Sequence, residues 1–403
     1  MLFAVPSSHG TSPEGGIEPE WAWNAQDVKC SDRPQNPAPQ AGPEPADELM
    51  IKHRERATEP TKRSADVTYW GYGLTAFIAE PRGHARPDLE QWRTHVMKAF
   101  VIPQPGVQAV ELADVPVPMI DDEELLVRVC AVGVGIHDSS FLPADAHYPY
   151  PIGIEAAGVI EQTGRGVSGY RPGDRAAFVS SMQPKGGTWA QFVAVNAGSL
   201  IIPVPAGMDS PEAAAVPVAG NTILRAFRVL EPMPAGGTLF IAGGSGAIGT
   251  LAIQIARRHG WRVAASASAP NHAYMLSLGA EKTVDYHDPN WGEQVLQWMP
   301  AGVDAVLAVQ PGTSSQSLQV LKDAGALVTI SGDALVSERG VRMSGVPYPM
   351  DVRDELVQLM TDIAEGALRV ELERVYPFEQ ALAALAKVQT RSARGKHVLR
   401  LEQ

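Results

Sequence analysis

Cysteine is almost missing from this chain: 403 residues contain only Cys30 and Cys130. Two thiols build no disulfide framework, and so low a count suits a reducing compartment. Long apolar runs are missing as well. No stretch reaches the roughly 18 residues that a membrane span needs. The opening MLFAVPSSHG has neither the basic start nor the full apolar core of a secretory signal. An excess of positive charge is also absent. The 33 Lys and Arg face 45 Asp and Glu, a net charge of −12, which argues against nucleic acid or an anionic membrane as the main partner. These absences predict a cytoplasmic protein that acts on a small molecule. The 45% hydrophobic and 19% charged residues are those of an ordinary globular chain, long enough for two or three domains.

What is present is concentrated between Thr238 and Ser268. A short apolar strand, Thr238 to Ala242, runs into Gly243-Gly244-Ser245-Gly246-Ala247-Ile248-Gly249, in which Gly244, Gly246 and Gly249 have G-x-G-x-x-G spacing. Ile248, Leu251, Ala252, Ile255 and Ala256 then recur at the offsets of one helix face. Arg257, Arg258 and His259 suit the negative end of that helix, Gly260 suits its cap, and Trp261 opens the next strand. This is a βαβ unit with a dinucleotide fingerprint in its first turn. In that reading Gly244 permits the tight turn. Gly246 lets the backbone approach a pyrophosphate seated on the helix N-terminus, and Gly249 allows close packing of helix on strand.

The residues after the second strand bear on which dinucleotide binds. An NAD site places Asp or Glu roughly 20 residues past the fingerprint, and RVAASASAPNHAYM, Arg262 to Met275, has no acid. The gap permits a 2′-phosphate and favours NADP(H), with Ser266, Ser268 and His272 as donors. The competing reading is that the serines only cap the following helix.

Along the chain, residues 1–96 are rich in Pro, Gly, Ser and charge, without a sustained period of 2 or 3.6. They read as a disordered extension. Trp21, Trp23 and the patch Tyr69 to Glu80 are its apolar exceptions. At Met97 the texture changes to MKAFVIPQPG, which has the look of a natural start. Residues 97–218 alternate short strands with turns, including Leu125–Val132, Gly153–Gln162, Ala176–Ser180 and Trp189–Val195, and predict a β-rich domain. Residues 219–347 alternate strands and helices, as a parallel doubly wound sheet requires. Its strands are expected at Thr238–Ala242, Arg262–Ser266, Thr283–Asp285, Ala305–Val309 and Leu327–Ser331. Residues 348–403 give a helix (Asp351 to Gly366), a strand-like VELERVYPF, a second helix (Glu379 to Gln389) and a closing HVLRL.

Nine segments in order, MKAFVI, AVGVGIHD, PIGIEAAGVIE, RPGDRA, GGTWAQFVAV, VPVAGNTILRAF, AGGSGAIG, SLGAEKTVDY and ARGKHVLRL, resemble the medium-chain dehydrogenase/reductase superfamily. The likeness is to its zinc-independent quinone oxidoreductase branch and covers Met97 to the C-terminus. It implies an α/β chain: a GroES-like β-rich catalytic domain (97–218), a Rossmann NADP-binding domain (219–347) and a C-terminal segment (348–403) returning to the first. Zinc-binding relatives place a Cys and a His where this chain has Gly135 and Ile154, and neither residue can ligate. A four-cysteine structural zinc loop is impossible with two cysteines. No metal is expected, and Cys130 reads as core.

Without a metal to polarise an alcohol, a quinone or α,β-unsaturated carbonyl that takes hydride directly is the better acceptor. His137, Asp138 and Asn221 are the candidate donors, none assigned as catalytic, and relatives often carry Asn where Gly135 stands. The resemblance further implies cofactor contacts from Thr222, facing the nicotinamide, and from Tyr286, near the adenosine phosphate. His272 falls where relatives have Lys. Lys396 is either a phosphate contact or a solvated loop lysine. An enoyl-thioester reductase and a cofactor-binding scaffold without turnover are the alternatives. Pairing of the edge strand in Gly340 to Val346 across a two-fold axis predicts a homodimer.

Overall fold

A computed structural model describes residues 95–180, 183–334, 338–348 and 350–401. The expectations for the first 94 residues, Cys30 among them, lie outside it. Strands β1 (Val96–Ile102), β2 (Glu111–Pro116), β3 (Glu124–Val134), β4 (Tyr150–Pro151), β5 (Glu155–Thr163), β6 (Arg175–Val179), β7 (Phe192–Asn196) and β8 (Ile201–Pro203) come first. Helices α1 (Ser210–Ala214) and α2 (Pro217–Leu230) follow.

β3 organises this half. Its eleven residues, ELLVRVCAVGV, are apolar nearly throughout, as a strand covered on both faces must be. β5 pairs antiparallel along one edge. The other edge is shared, with β7 on Glu124–Arg128 and the C-terminal strand on Ala131–Val134. Phe100, Phe178 and Trp189 fill the core beside it, with Phe100 edge-on to Trp189 at 6.0 Å. Cys130 is buried there, as expected.

The chain then alternates β9 (Thr238–Ala242), α3 (Ala247–Arg258), β10 (Arg262–Ala267), α4 (His272–Ser277), β11 (Lys282–Asp285), α5 (Trp291–Trp298), β12 (Val303–Ala308), α6 (Thr313–Ser317), β13 (Leu321–Thr329) and β14 (Arg342–Gly345). All six strands are parallel, in the order β11-β10-β9-β12-β13-β14. β9 shows why the sheet must be sandwiched. Leu239 and Ile241 enter the core under α2 and α3, while Phe240 and Ala242 face the opposite core, where Phe240 stacks on Trp291 at 5.2 Å. α3 is buried more widely than its single predicted face, with Ile253 and Gln254 also covered. Gln254 is satisfied there by the backbone of Thr250 and Arg369. β13 begins at Leu321, upstream of the predicted Leu327. Its opening, Lys322-Asp323-Ala324, is polar or exposed and gives no apolar signal.

α7 (Arg353–Ala364) lies on α2, so close that a Cβ on Gly220 would stand 2.6 Å from Leu356. β15 (Leu372–Pro377), α8 (Ala381–Gln389) and β16 (Lys396–Arg400) complete the first sheet, whose order is β15-β16-β3-β5-β6-β8 with β7 on β3. The described chain is thus a GroES-like β-rich unit and a Rossmann-type parallel sheet, an α/β fold. The loop before β16 touches both parts. Gly395 N donates to Ser245 O at 2.7 Å in the glycine turn, while Lys396 and its successors enter the β3 sheet.

Candidate active site

The glycine turn assigns its residues somewhat differently from their spacing. Gly243, at φ 100°, takes the left-handed conformation, so the sharp turn belongs to it and not to Gly244. Gly243 N and Gly244 N both donate to Ser266 O, at 3.2 and 2.9 Å, which clamps the turn to β10. A Cβ on Gly244 would meet Ala265 at 2.7 Å and Met275 at 2.9 Å, so its role is packing. Gly249 packs more tightly still, with Gly243 O 2.3 Å from a hypothetical Cβ. Gly246 differs from these: a Cβ there would meet nothing within 4 Å. It is the N-cap of α3 and supplies no side-chain hydrogen bond, so the helix presents Ala247 and Ile248 beside an open, positively polarised end. Ser245 and Gly246 are half-buried along the same turn. Space at Gly246 and uncapped helix N–H groups fit a dinucleotide pyrophosphate.

At the end of β10, Ser266 is buried and its Oγ accepts from Gly243 N at 3.3 Å, so it builds the turn. Ser268 Oγ accepts from Asn271 Nδ2 at 3.1 Å, and no side-chain cap bond forms from Ser268 to the following turn. The imidazole Nε2 of His272 sits 3.3 Å from Ala267 O. Tyr286 is exposed and its ring lies 4.0 Å from that of His287. One group here was invisible to a search along β10. Asp285 ends the neighbouring strand, pairs in register with Ala267, and accepts from Ala269 N at 3.1 Å. A carboxylate therefore reaches the loop after β10 from the next strand, with His287 Nδ1 2.8 Å from its other oxygen.

The turn after β3 is organised by Asp138, which is 1% exposed. Its Oδ2 accepts from Gly135 N at 2.8 Å and from Trp189 Nε1 at 3.0 Å, and its backbone oxygen accepts from Gly153 N. Burial raises its pKa to about 7 against these hydrogen bonds and the charge of Lys396. Gly153 must be glycine: its φ is 107° and a Cβ would lie 2.2 Å from Trp189. Gly135 N thus binds the buried carboxyl, and Ile154 follows the glycine whose N–H binds the backbone oxygen of Asp138. Neither carries a metal donor. Among the described residues no group of three or more His, Cys, Asp or Glu is placed to hold a metal ion. His137 is exposed, stacks on Phe141 at 4.8 Å, and has its pKa lowered by partial burial and by Arg391.

Asn221 and Thr222 lie half-buried on α2, and Thr222 Oγ1 donates to Val218 O at 2.7 Å. Lys396 corrects the solvated-loop reading. It is 8% exposed, begins β16, and forms a buried ion pair with Glu155, whose other oxygen accepts from Val218 N at 2.7 Å. This pair joins β16, β5 and the start of α2, and no residue near Lys396 in sequence signals it.

Two family models match parts of the chain: the alcohol dehydrogenase GroES-like domain over residues 121–206, and the zinc-binding dehydrogenase over residues 278–399. Quinone oxidoreductase of Sus scrofa is 26% identical over 325 residues, 76% of this chain and 97% of its own length. The chain belongs to the medium-chain dehydrogenase/reductase superfamily, in its quinone oxidoreductase-like branch. A second relative from this superfamily, the chloroplastic NADPH-dependent alkenal/one oxidoreductase of Arabidopsis thaliana, is 28% identical over 319 residues, 75% of this chain and 79% of its own. The solved quinone oxidoreductase from Coxiella burnetii superposes with a TM-score of 0.68 at 27% identity, covering 76% of this chain and all of that one. Like other members, this chain is an oxidoreductase, and members bind a nicotinamide cofactor.

Proposed function

We propose that this chain reduces quinones or α,β-unsaturated carbonyl compounds by hydride transfer from NADPH, without zinc, as a cytoplasmic homodimer. The observation that carries this reading is the residue types at the two positions where zinc-binding relatives hold the metal: Gly135, whose N–H binds Asp138, and Ile154 carry no side chain that could polarise an alcohol through a metal. Bound NADPH supplies the hydride. The chain's own residues seat and orient it. Gly244, Gly246 and Gly249 shape the turn, Ser245, Ala247 and Ile248 line it, and α3 directs its open N–H groups at phosphate. Thr222 spends its proton on Val218 O, which leaves its oxygen as an acceptor towards the nicotinamide side. Asp138 holds the Gly135 turn and the Trp189 indole in place.

The support for NADPH is the acid-free β10 loop, the candidate donors Ser266, Ser268 and His272, and the NADPH dependence of the Arabidopsis relative. Asp285 opposes it in part, because its charge adjoins the same loop. NADPH is expected to bind about tenfold tighter than NADH, ~1.4 kcal/mol, and Asp285→Asn should widen that ratio several-fold. Equal affinities for the two cofactors at low salt would refute the preference. For the dimer, β14 ends the parallel sheet among the described residues and offers an edge to pair. Met343→Pro removes a ladder donor and should shift light scattering towards monomer; a wild-type chain that is monomeric at micromolar concentration overturns it.

Steady-state turnover of the full chain with NADPH, 9,10-phenanthrenequinone and a panel of enones tests the activity. No turnover above a Gly246→Asp control, with any acceptor, sinks the reading. Activity confined to acyl thioesters would point to an enoyl-thioester reductase, and tight NADPH binding without turnover to a scaffold.

A further inference from the structure

α2 carries a charge that nothing in the described structure answers. Arg225 is only 8% exposed, and its Nε is buried without a hydrogen-bond partner. Among the described residues no carboxylate pairs with it, and the guanidinium carbon stands 5.2 Å from the centroid of the Tyr348 ring. Neighbouring arginines are not left this way. Arg228, on the next turn, bonds Asp351 O and Glu355, and Arg353 bonds Ile201 O and Ser199 O. Burial lowers the pKa of Arg225, yet a guanidinium does not give up its proton in a protein. A buried cation of this kind is costly unless an anion completes it.

Its place in the fold says which anion. Residues three and four apart share a helix face, so Arg225 lies one turn below Asn221 and Thr222, the second of which the reading above sets towards the nicotinamide. Long helical side chains lean back towards the N-terminus, which carries the guanidinium towards that turn. The guanidinium carbon stands over the Tyr348 ring, and the fork of N–H groups around it matches a planar, bidentate carboxylate. Tyr348 itself is 80% exposed, so solvent reaches the far side of this ring.

We propose that Arg225, beneath Tyr348, is the recognition point for a carboxylate carried by the hydride acceptor. The inference rests on the reductase reading for the word acceptor, and on Arg225 alone for the anion.

Two measurements on the full chain separate these. The first leaves nicotinamide out. Benzoate at tens of millimolar should raise Tm by about 2 °C or more, while neutral benzamide and matched sodium chloride should not. Arg225→Gln should lose the shift. Tyr348→Glu, at an exposed position, builds the carboxylate into the chain; it should raise the unliganded Tm and abolish the benzoate effect, which keeps the test open if Arg225→Gln fails to fold. The second adds NADPH and compares trans-3-benzoylacrylate with its methyl ester. Arg225→Gln should raise KM at least about tenfold for the acid and less than twofold for the ester. Equal shifts from benzoate and benzamide, a benzoate shift that survives Arg225→Gln or Tyr348→Glu, or equal KM changes for acid and ester would each overturn the proposal. A benzoate shift that behaves as expected, with no turnover of either acceptor, would leave the carboxylate site standing and sink the reductase reading.

Discussion

Asp138→Asn is the sharpest perturbation this structure offers. Both donors to the carboxyl, Gly135 N and Trp189 Nε1, converge on Oδ2. An asparagine can present its oxygen there and its NH2 in place of Oδ1, so the variant mimics the protonated acid. Holding the carboxyl at about 7 rather than 3.8 in the folded state means that the ionised form is disfavoured there by about 4 kcal/mol, to order of magnitude. Between these two values the folded chain holds a proton that the unfolded chain has released. The contribution of Asp138 is therefore fully present below pH 3.8, falls as pH rises, and is lost above about pH 7. Urea unfolding of wild type and Asp138→Asn from pH 5 to 9 isolates this term, because other titrations cancel in the difference. The variant should gain on wild type as pH rises and exceed it by about 2 to 4 kcal/mol at pH 9. A difference that is flat with pH, or a variant less stable than wild type at pH 9, would refute the buried-acid reasoning.

The other expectations are shorter. Gly246→Ala should leave Tm unchanged, because its Cβ enters open space, whereas Gly249→Ala should cost about 1–3 kcal/mol from overpacking against Gly243 O; similar Tm values for the two would contradict the division of roles. Glu155→Gln should destabilise by about 3–5 kcal/mol by orphaning the Lys396 ammonium, and adding Lys396→Met should recover a large part of it in chemical denaturation.

Much of the fold was written in short-range pattern. β9 stands where its apolar run ends at Gly243, and β10, β11 and β16 fall within a residue or two of their predicted limits, because period and turn chemistry are local. The residues that were missed share a different property. Asp285 reaches the β10 loop through strand register, Lys396 meets Glu155 across 241 positions, and Arg225 is notable only for the partner it lacks. A linear reading cannot see which charges three dimensions bring together or leave alone. Even within the fingerprint, spacing did not show which glycine bears the positive φ, since Gly243 and Gly244 are equivalent until β10 supplies Ser266 O.

The shared edge of β3 has a consequence for how the chain acquires its shape. Half of that edge is taken by β7, and the other half waits for β16, which is synthesised only after the whole parallel sheet. The nascent β-rich half therefore spends the synthesis of some two hundred residues with Ala131–Val134 unpaired on that side, an apolar segment open to pairing with a neighbouring chain. The parallel sheet needs nothing from beyond β14 to close its hydrogen-bond ladder, so it is free to form first and serve as the platform on which the last strand docks. Where yield of this protein is limited by aggregation during synthesis, the remedy lies at the late-filled edge of β3 and not at the cofactor turn.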